Sequence, residues 1–113
     1  MATQVRQQDG VTVIEPNGRI VGLAISELRK TISQQIEAAD TPRILINFAD
    51  VTQVDSGGLG TLMEARAMAN QKQGRIGVIH VAENIKNLLV MSRIVNQFEH
   101  FENEDAAISE LSA

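Results

Sequence analysis

The chain has 113 residues, 43% of them hydrophobic and 21% charged, with ten Lys and Arg against fourteen Asp and Glu and a formal net charge of −4. Length and balance describe one globular domain over residues 1–113, not a disordered segment. The absence of cysteine excludes a disulfide framework, a thiol nucleophile and a Cys-ligated zinc or iron–sulfur centre.

The chain opens on MATQVRQQDG, which has no apolar signal-peptide core. Residues 3–8 and 11–15 are extended runs flanking Asp9-Gly10, which predicts a hairpin. Pro16-Asn17-Gly18 breaks the chain again. Ile25, Leu28, Ile32, Ile36 and Ala39 recur at intervals of three and four, which predicts an amphipathic helix over residues 24–39. Asp40-Thr41-Pro42 stops it. Ile44–Phe48 is a short apolar run rich in branched side chains, the pattern of a central strand buried on both faces and parallel to a neighbour.

A second helix is expected over residues 57–72, with Leu59, Leu62, Met63 and Ala69 along one side and Arg66 as its imperfect member. Gly74 ends it. Residues 76–81 predict another buried strand, with His80 near its end as a structural side chain. Residues 84–92 suit a third helix, Phe98–Phe101 a weak strand, and Asp105–Leu111 a last short helix with Ile108 and Leu111 inward. The order β-β-α-β-α-β-α-β-α means an α/β fold with helices on a mixed sheet. Right-handed crossovers put successive helices on the same side.

Several function classes are excluded by the charges and aromatics. The longest uncharged run is the eight residues between Asp55 and Glu64. A membrane-spanning helix needs about twenty, so no direct membrane insertion is expected. The five acids Glu99, Glu102, Glu104, Asp105 and Glu110 stand in residues 99–113 with no base. Such a cluster reads as a solvated face. The remainder is near neutral, with ten basic and nine acidic residues, so no polyphosphate footprint is expected. Phe48, Phe98 and Phe101 are the only aromatics, too few for a base-stacking platform. Nucleic-acid binding is therefore not expected.

The most informative stretch runs from Asn47 to Gly60. A buried strand delivers the chain to an exposed turn, and Asp55-Ser56 then stands at a helix start followed by Gly57, Gly58 and Gly60. An Asp or Ser there caps free amides, and the helix N-terminus favours added negative charge. One reading is simply a capped helix with a tight turn before it. Glycine inside a helix costs about 1 kcal/mol relative to alanine, however, which hints at a steric need. The other reading is that the glycines let a macromolecule approach Ser56 closely.

Other chemistries fit this stretch badly. It lacks the lysine of a phosphate-binding P-loop and the Gly-x-Gly-x-x-Gly of a dinucleotide turn. Val54 stands where the first glycine of Gly-x-Ser-x-Gly belongs. His80 and His100 suggest neither a serine partner nor a metal partner. No catalytic residue, cofactor or metal site is expected, and the chain does not read as an enzyme.

Val54-Asp55-Ser56-Gly57-Gly58-Leu59-Gly60 resembles the Asp-Ser-x-Gly-Leu-Gly signature of the STAS domain family, and the resemblance covers nearly the whole chain. It implies a single mixed sheet of about four to five strands with about four helices packed mainly on one face. In that family the serine after the aspartate is the phosphorylation site, which implies Ser56 here. Stand-alone members are anti-sigma factor antagonists (anti-anti-sigma factors) of bacterial partner-switching pathways. They are cytoplasmic and mostly monomeric when free. They bind an anti-sigma factor that is also a GHKL-type serine kinase, are released on phosphorylation, and are reset by a metal-dependent serine phosphatase. The implied partner-binding residues are Asp55, Ser56, Gly57, Gly58 and Leu59.

The chain departs from the family where Gly-Glu-Leu-Asp is common. Gly18-Arg19-Ile20-Val21 stands there, so Arg19 and Val21 replace acids. Either this is an ordinary turn leading to a helix, or it is a changed partner surface. Gly57 takes the place of a Ser, Thr or Ala, and Ser92-Arg93-Ile94 stands where Ser-Gly-Leu is common. The Arg19/Val21 surface leaves room for an alternative, a STAS regulatory subunit of a lipid-transport ABC-type membrane assembly.

Overall fold

The computed structural model describes residues 3–113. Strands β1 (Gln4–Gln8) and β2 (Val11–Glu15) form the expected hairpin. Its corner residues Asp9 and Gly10 both take positive φ, 52° and 79°. That geometry matches the twist of paired strands. Then follow β3 (Gly18–Ile20), α1 (Leu23–Ala38), β4 (Arg43–Asn47), β5 (Val51–Val54), α2 (Ser56–Gln71) and β6 (Arg75–Ile79). The chain finishes with α3 (Glu83–Met91), a 3-10 turn (Val95–Gln97), β7 (Glu99–His100) and α4 (Glu104–Leu111).

The main sheet has five strands in the order β1-β2-β4-β6-β7, antiparallel only at the β1–β2 hairpin. The apolar run Ile44–Ile46 is fully buried at its centre, as a parallel strand covered on both faces must be. One face carries α1, α2 and α3 over a core that includes Ile14, Ile44, Ile46, Leu28, Ile32, Leu62 and Ile85. The other face carries α4, whose Ala107, Ile108 and Leu111 pack on Val11, Val13, Leu45 and Ile79. Alternation along β2 and β4 thus feeds two cores, with three of the four helices on one side.

The structure corrects four sequence expectations. Residues 18–20, expected as a turn before a helix, form strand β3. Residues 51–54, expected as an exposed turn, form strand β5. These two pair in parallel as a second small sheet, so the sheet is not single. The third buried strand ends at Ile79, and His80 is exposed with φ 57° instead of closing the strand.

The fourth correction concerns the acidic tail. Glu104 accepts a hydrogen bond from Arg6, which also donates to Glu15 at 2.9 Å. Arg75 Nε donates to Glu99 at 2.9 Å. These bonds, to Glu104 first for Arg6 and to Glu99 for Arg75, hold both guanidiniums in the charged form above their ordinary range. Arg75 Nη1 also donates to the Glu110 carbonyl at 2.9 Å, and Arg43 Nη1 to the Ser112 carbonyl at 2.8 Å. Three arginines therefore hold α4 at both ends. Cations at a helix C-terminus also complement its dipole.

Arg66, the imperfect member of its helix, reaches across to donate to the Gln97 carbonyl at 2.6 Å. Arg93 stands where a glycine cap is common and takes φ 61° in its place, with the Ile94 amide bonded back to the Leu89 carbonyl at 3.0 Å.

Leu111 is fully buried, so its truncation tests whether α4 is part of the core. Leu111→Ala should lower stability by about 2–5 kcal/mol. Urea denaturation followed by circular dichroism measures it. A loss under 1 kcal/mol would show that α4 is only loosely attached.

Candidate functional site

The site is built where β5 turns into α2. Phe48 closes β4's run with its amide bonded to the Ile79 carbonyl at 3.0 Å, and the Ala49 amide bonds to Asn47 Oδ1 at 2.9 Å. The Val51 amide then bonds back to the Phe48 carbonyl at 3.0 Å, which turns the chain into β5. β5 lies beside β3, with Gln53 opposite Arg19 and Val54 opposite Ile20. The Gly18 amide fixes the start of this pair by bonding to the Asp50 carbonyl at 2.8 Å.

Asp55 has extended backbone at the N-cap, and its carboxylate accepts from the Gly58 amide at 3.0 Å. Its carbonyl accepts from the Leu59 amide at 3.0 Å. One of the helix's free amides is thereby satisfied. Ser56 is the first helical residue and is exposed. No acidic residue stands in the first turn of α2, so Asp55 alone meets the positive end of the helix dipole.

The three glycines differ in kind. A Cβ on Gly58 would come within 2.6 Å of Val54 Cγ1 and 3.2 Å of the Ile20 carbonyl oxygen. A Cβ on Gly57 would come within 2.8 Å of Ile25 Cδ1. At Gly60 nothing lies within 4 Å. The steric need inferred from sequence is therefore internal at Gly57 and Gly58, where α2 starts hard against β3, β5 and α1. Only Gly60 opens on free space.

Of the seven residues expected at a partner surface, the structure exposes Ser56, Gly57 and Arg19 and half-buries Asp55 and Val21. Gly58 and Leu59 are buried beneath them and support the surface from below. Arg19 lies along the edge of this patch and donates from Nε to Gln53 Oε1 at 3.0 Å. Strand pairing thus places Arg19 and Val21 beside the Asp55–Gly57 turn, although more than thirty residues separate them in sequence.

Sequence reasoning missed Leu23. It is the first residue of α1 and is 84% exposed. Gly22 before it has φ 58° and ψ −129°, which only glycine adopts readily. Because Ile25 touches Gly57, the starts of α1 and α2 sit side by side. The available signal was its position two residues before Ile25, off the apolar stripe of α1. Asn84 was also missed. Its side-chain amide donates to the Thr52 carbonyl at 3.2 Å and ties the first turn of α3 to β5.

The histidines lie elsewhere, at the ends of β6 and β7. Among the described residues no group of three or more His, Asp or Glu is placed to hold a metal ion. No helix among them is long and apolar enough to cross a membrane.

The STAS domain model matches residues 2–107, so the chain belongs to the STAS domain family. It is similar to an anti-sigma F factor antagonist of Paenibacillus polymyxa, 24% identical over 108 residues that cover 96% of this chain and 92% of that protein. An anti-sigma factor antagonist from Mycobacterium paratuberculosis superposes with a TM-score of 0.86 at 21% identity, over 99% of this chain and 94% of the other. The Bacillus cell fate determinant SpoIIAA in its phosphorylated form superposes with a TM-score of 0.75 at 22% identity, over 96% and 98% of the two chains. At these identities the superpositions establish the fold.

The contrast between glycines is testable by stability alone. Gly60→Ala should stabilise the protein by up to about 1 kcal/mol, since a methyl there meets nothing and alanine favours the helix. Gly58→Ala should destabilise it by about 1–3 kcal/mol, because the methyl overpacks against Val54 and Ile20. Paired thermal melts of both variants decide it. Equal effects would refute the difference in packing.

Proposed function

We propose that this STAS domain is an anti-sigma factor antagonist of the partner-switching type, acting in the bacterial cytoplasm as a monomer when free. Unphosphorylated, it binds an anti-sigma factor that is a GHKL-type serine kinase. That kinase phosphorylates Ser56, the complex separates, and a serine phosphatase restores the binding form. Ser56 is a substrate residue, and the partner supplies ATP, magnesium and the base. The observation that carries this reading is the exposed Ser56 hydroxyl at the first position of α2, beside a capping carboxylate that is already engaged. The name of the Paenibacillus relative and the phosphorylated state of the Bacillus homologue point the same way.

The switch has a local physical account. A phosphoserine carries about −1.5 to −2 charges at neutral pH. The free amides of the α2 N-terminus tolerate that charge in the isolated protein. A packed interface over Ser56, Gly57, Arg19 and Val21 does not. It would have to accommodate the bulk, desolvate the phosphate and hold it near Asp55. A binding loss of about 3 kcal/mol already lowers affinity by roughly two orders of magnitude, with no change of fold.

The test is phosphosite mapping by mass spectrometry on protein isolated from its native cells, growing and stressed. Phosphate on Ser56 with occupancy that changes between conditions is expected. Pull-down with Ser56→Ala should then retain the kinase partner, and Ser56→Glu should retain much less. A Ser56 peptide found only unmodified in every condition would overturn the mechanism and favour a transporter-associated STAS subunit.

A further inference from the structure

We propose that the crevice at the carboxyl ends of β6 and β7 binds a small organic anion, a carboxylate with a short apolar body. β6 and β7 are parallel, with Val78 opposite His100, and the chain leaves both strands at one edge of the sheet. That region holds a cavity of about 220 Å³, lined by His80, Val81, Lys86, His100, Phe101 and Glu102 among others. The chain has two histidines, and both line it.

The lining has two characters. Phe101 packs its ring over Gly77, where an added Cβ would come within 2.6 Å of Phe101 Cε2, and with Val81 it gives the cavity an apolar side. Three nitrogen-bearing side chains come from separate places: His80 just after β6, Lys86 on α3 and His100 on β7. Lys86 has no ion-pair partner among the described residues. Glu102 is the one acid in the lining. One ammonium and two imidazoles thus share the lining with a single carboxylate.

Two details favour a built site. His80 is held at positive φ (57°), as Asp9, Gln73 and Arg93 are at other turns, and this fixes the direction in which the chain leaves β6 toward the cavity. His100 Nε2 lies 2.7 Å from the Val95 carbonyl oxygen. A carbonyl only accepts, so the hydrogen sits on Nε2 and the ring is oriented. Any proton the ring gains then goes to Nδ1, which becomes a donor.

The chemistry selects among anions. No arginine fork lines the cavity, whereas phosphate sites favour such forks. Its volume falls below the roughly 300–1,000 Å³ of pockets for drug-sized ligands. Dispersed single donors over an apolar floor suit a carboxylate on a short hydrocarbon.

The test titrates sodium butyrate into the ¹⁵N-labelled full chain and follows the amide signals. Butyramide and sodium phosphate serve as separate probes. Saturable shifts confined to residues 78–81, 86 and 100–102 are expected. His80→Gln and His100→Gln should each weaken butyrate binding at least fivefold. Both side chains are exposed, so the amide spectrum of each variant should stay that of the folded protein. Lys86→Gln offers a third exposed substitution should either variant unfold. Unsaturable shifts, equal response to butyramide, tighter binding of phosphate than of butyrate, or indifference to the substitutions would each overturn the proposal.

Discussion

The start of α2 is built on a single close approach. Gly58 must lie flat against Val54 and the Ile20 carbonyl, leaving no room for a side chain. That contact fixes the helix to the small parallel pair of β3 and β5, and the pair fixes Arg19 and Val21 next to the turn. Asp55 then caps the Gly58 amide at 3.0 Å, so cap and packing constrain the same residue. Ser56 is exposed because the residues behind it are fully committed to the core. A hydroxyl presented this way sits on a rigid support rather than a loose loop, which suits recognition by a macromolecule.

The rest of the fold holds this corner in place. α1 leans on Gly57 through Ile25, α3 ties to β5 through Asn84, and the central β4 carries the chain into the turn before β5. On the far side of the sheet, α4 adds a second apolar layer and brings most of the chain's acidic excess with it. Arginines from β1, β4 and β6 meet that helix at its two ends. Exposed ion pairs contribute little each, so the apolar contacts of Ala107, Ile108 and Leu111 decide the docking. The arginines fix where α4 sits. The acid-rich segment thus serves partly as a clasp, although Glu102, Asp105 and Glu110 remain exposed.

Most of the main sheet was legible because its strands are long, apolar or joined by a tight turn. Ile44–Phe48 could be read as a central parallel strand from branched side chains alone, and Asp9-Gly10 announced the hairpin. β3 and β5 were not legible for a different reason. Each is three or four residues long, and β5 reads buried, exposed, exposed, buried, which is not the alternation of a half-buried strand. Their stability comes from pairing with each other across more than thirty residues, a nonlocal fact that no local window contains. His80 misled because an apolar run continued through it to Val81, while the backbone left the strand one residue earlier through a positive φ. The Asp-Ser-Gly-Gly turn was legible as a helix start. That Gly58 serves the core became visible only once Ile20 lay beside it.

Rigidity at the Ser56 corner bears on how a covalent signal could be read there. An interface that covers an exposed side chain on a fixed helix cannot relax around an added phosphate by moving the helix. Doing so would break the Gly58 contact and the Asp55 cap together. The free protein, by contrast, meets the new charge with open amides and solvent. The same modification is therefore nearly neutral for folding and strongly unfavourable for a complex that buries it. Arg19 shifts this balance in a direction particular to this chain. Its guanidinium is exposed and bonded to a neutral amide oxygen on Gln53 rather than to a carboxylate. Under the proposed switch, a cation beside the turn would favour an acidic partner surface, and such a surface would repel a phosphate on Ser56 more strongly than a neutral one would.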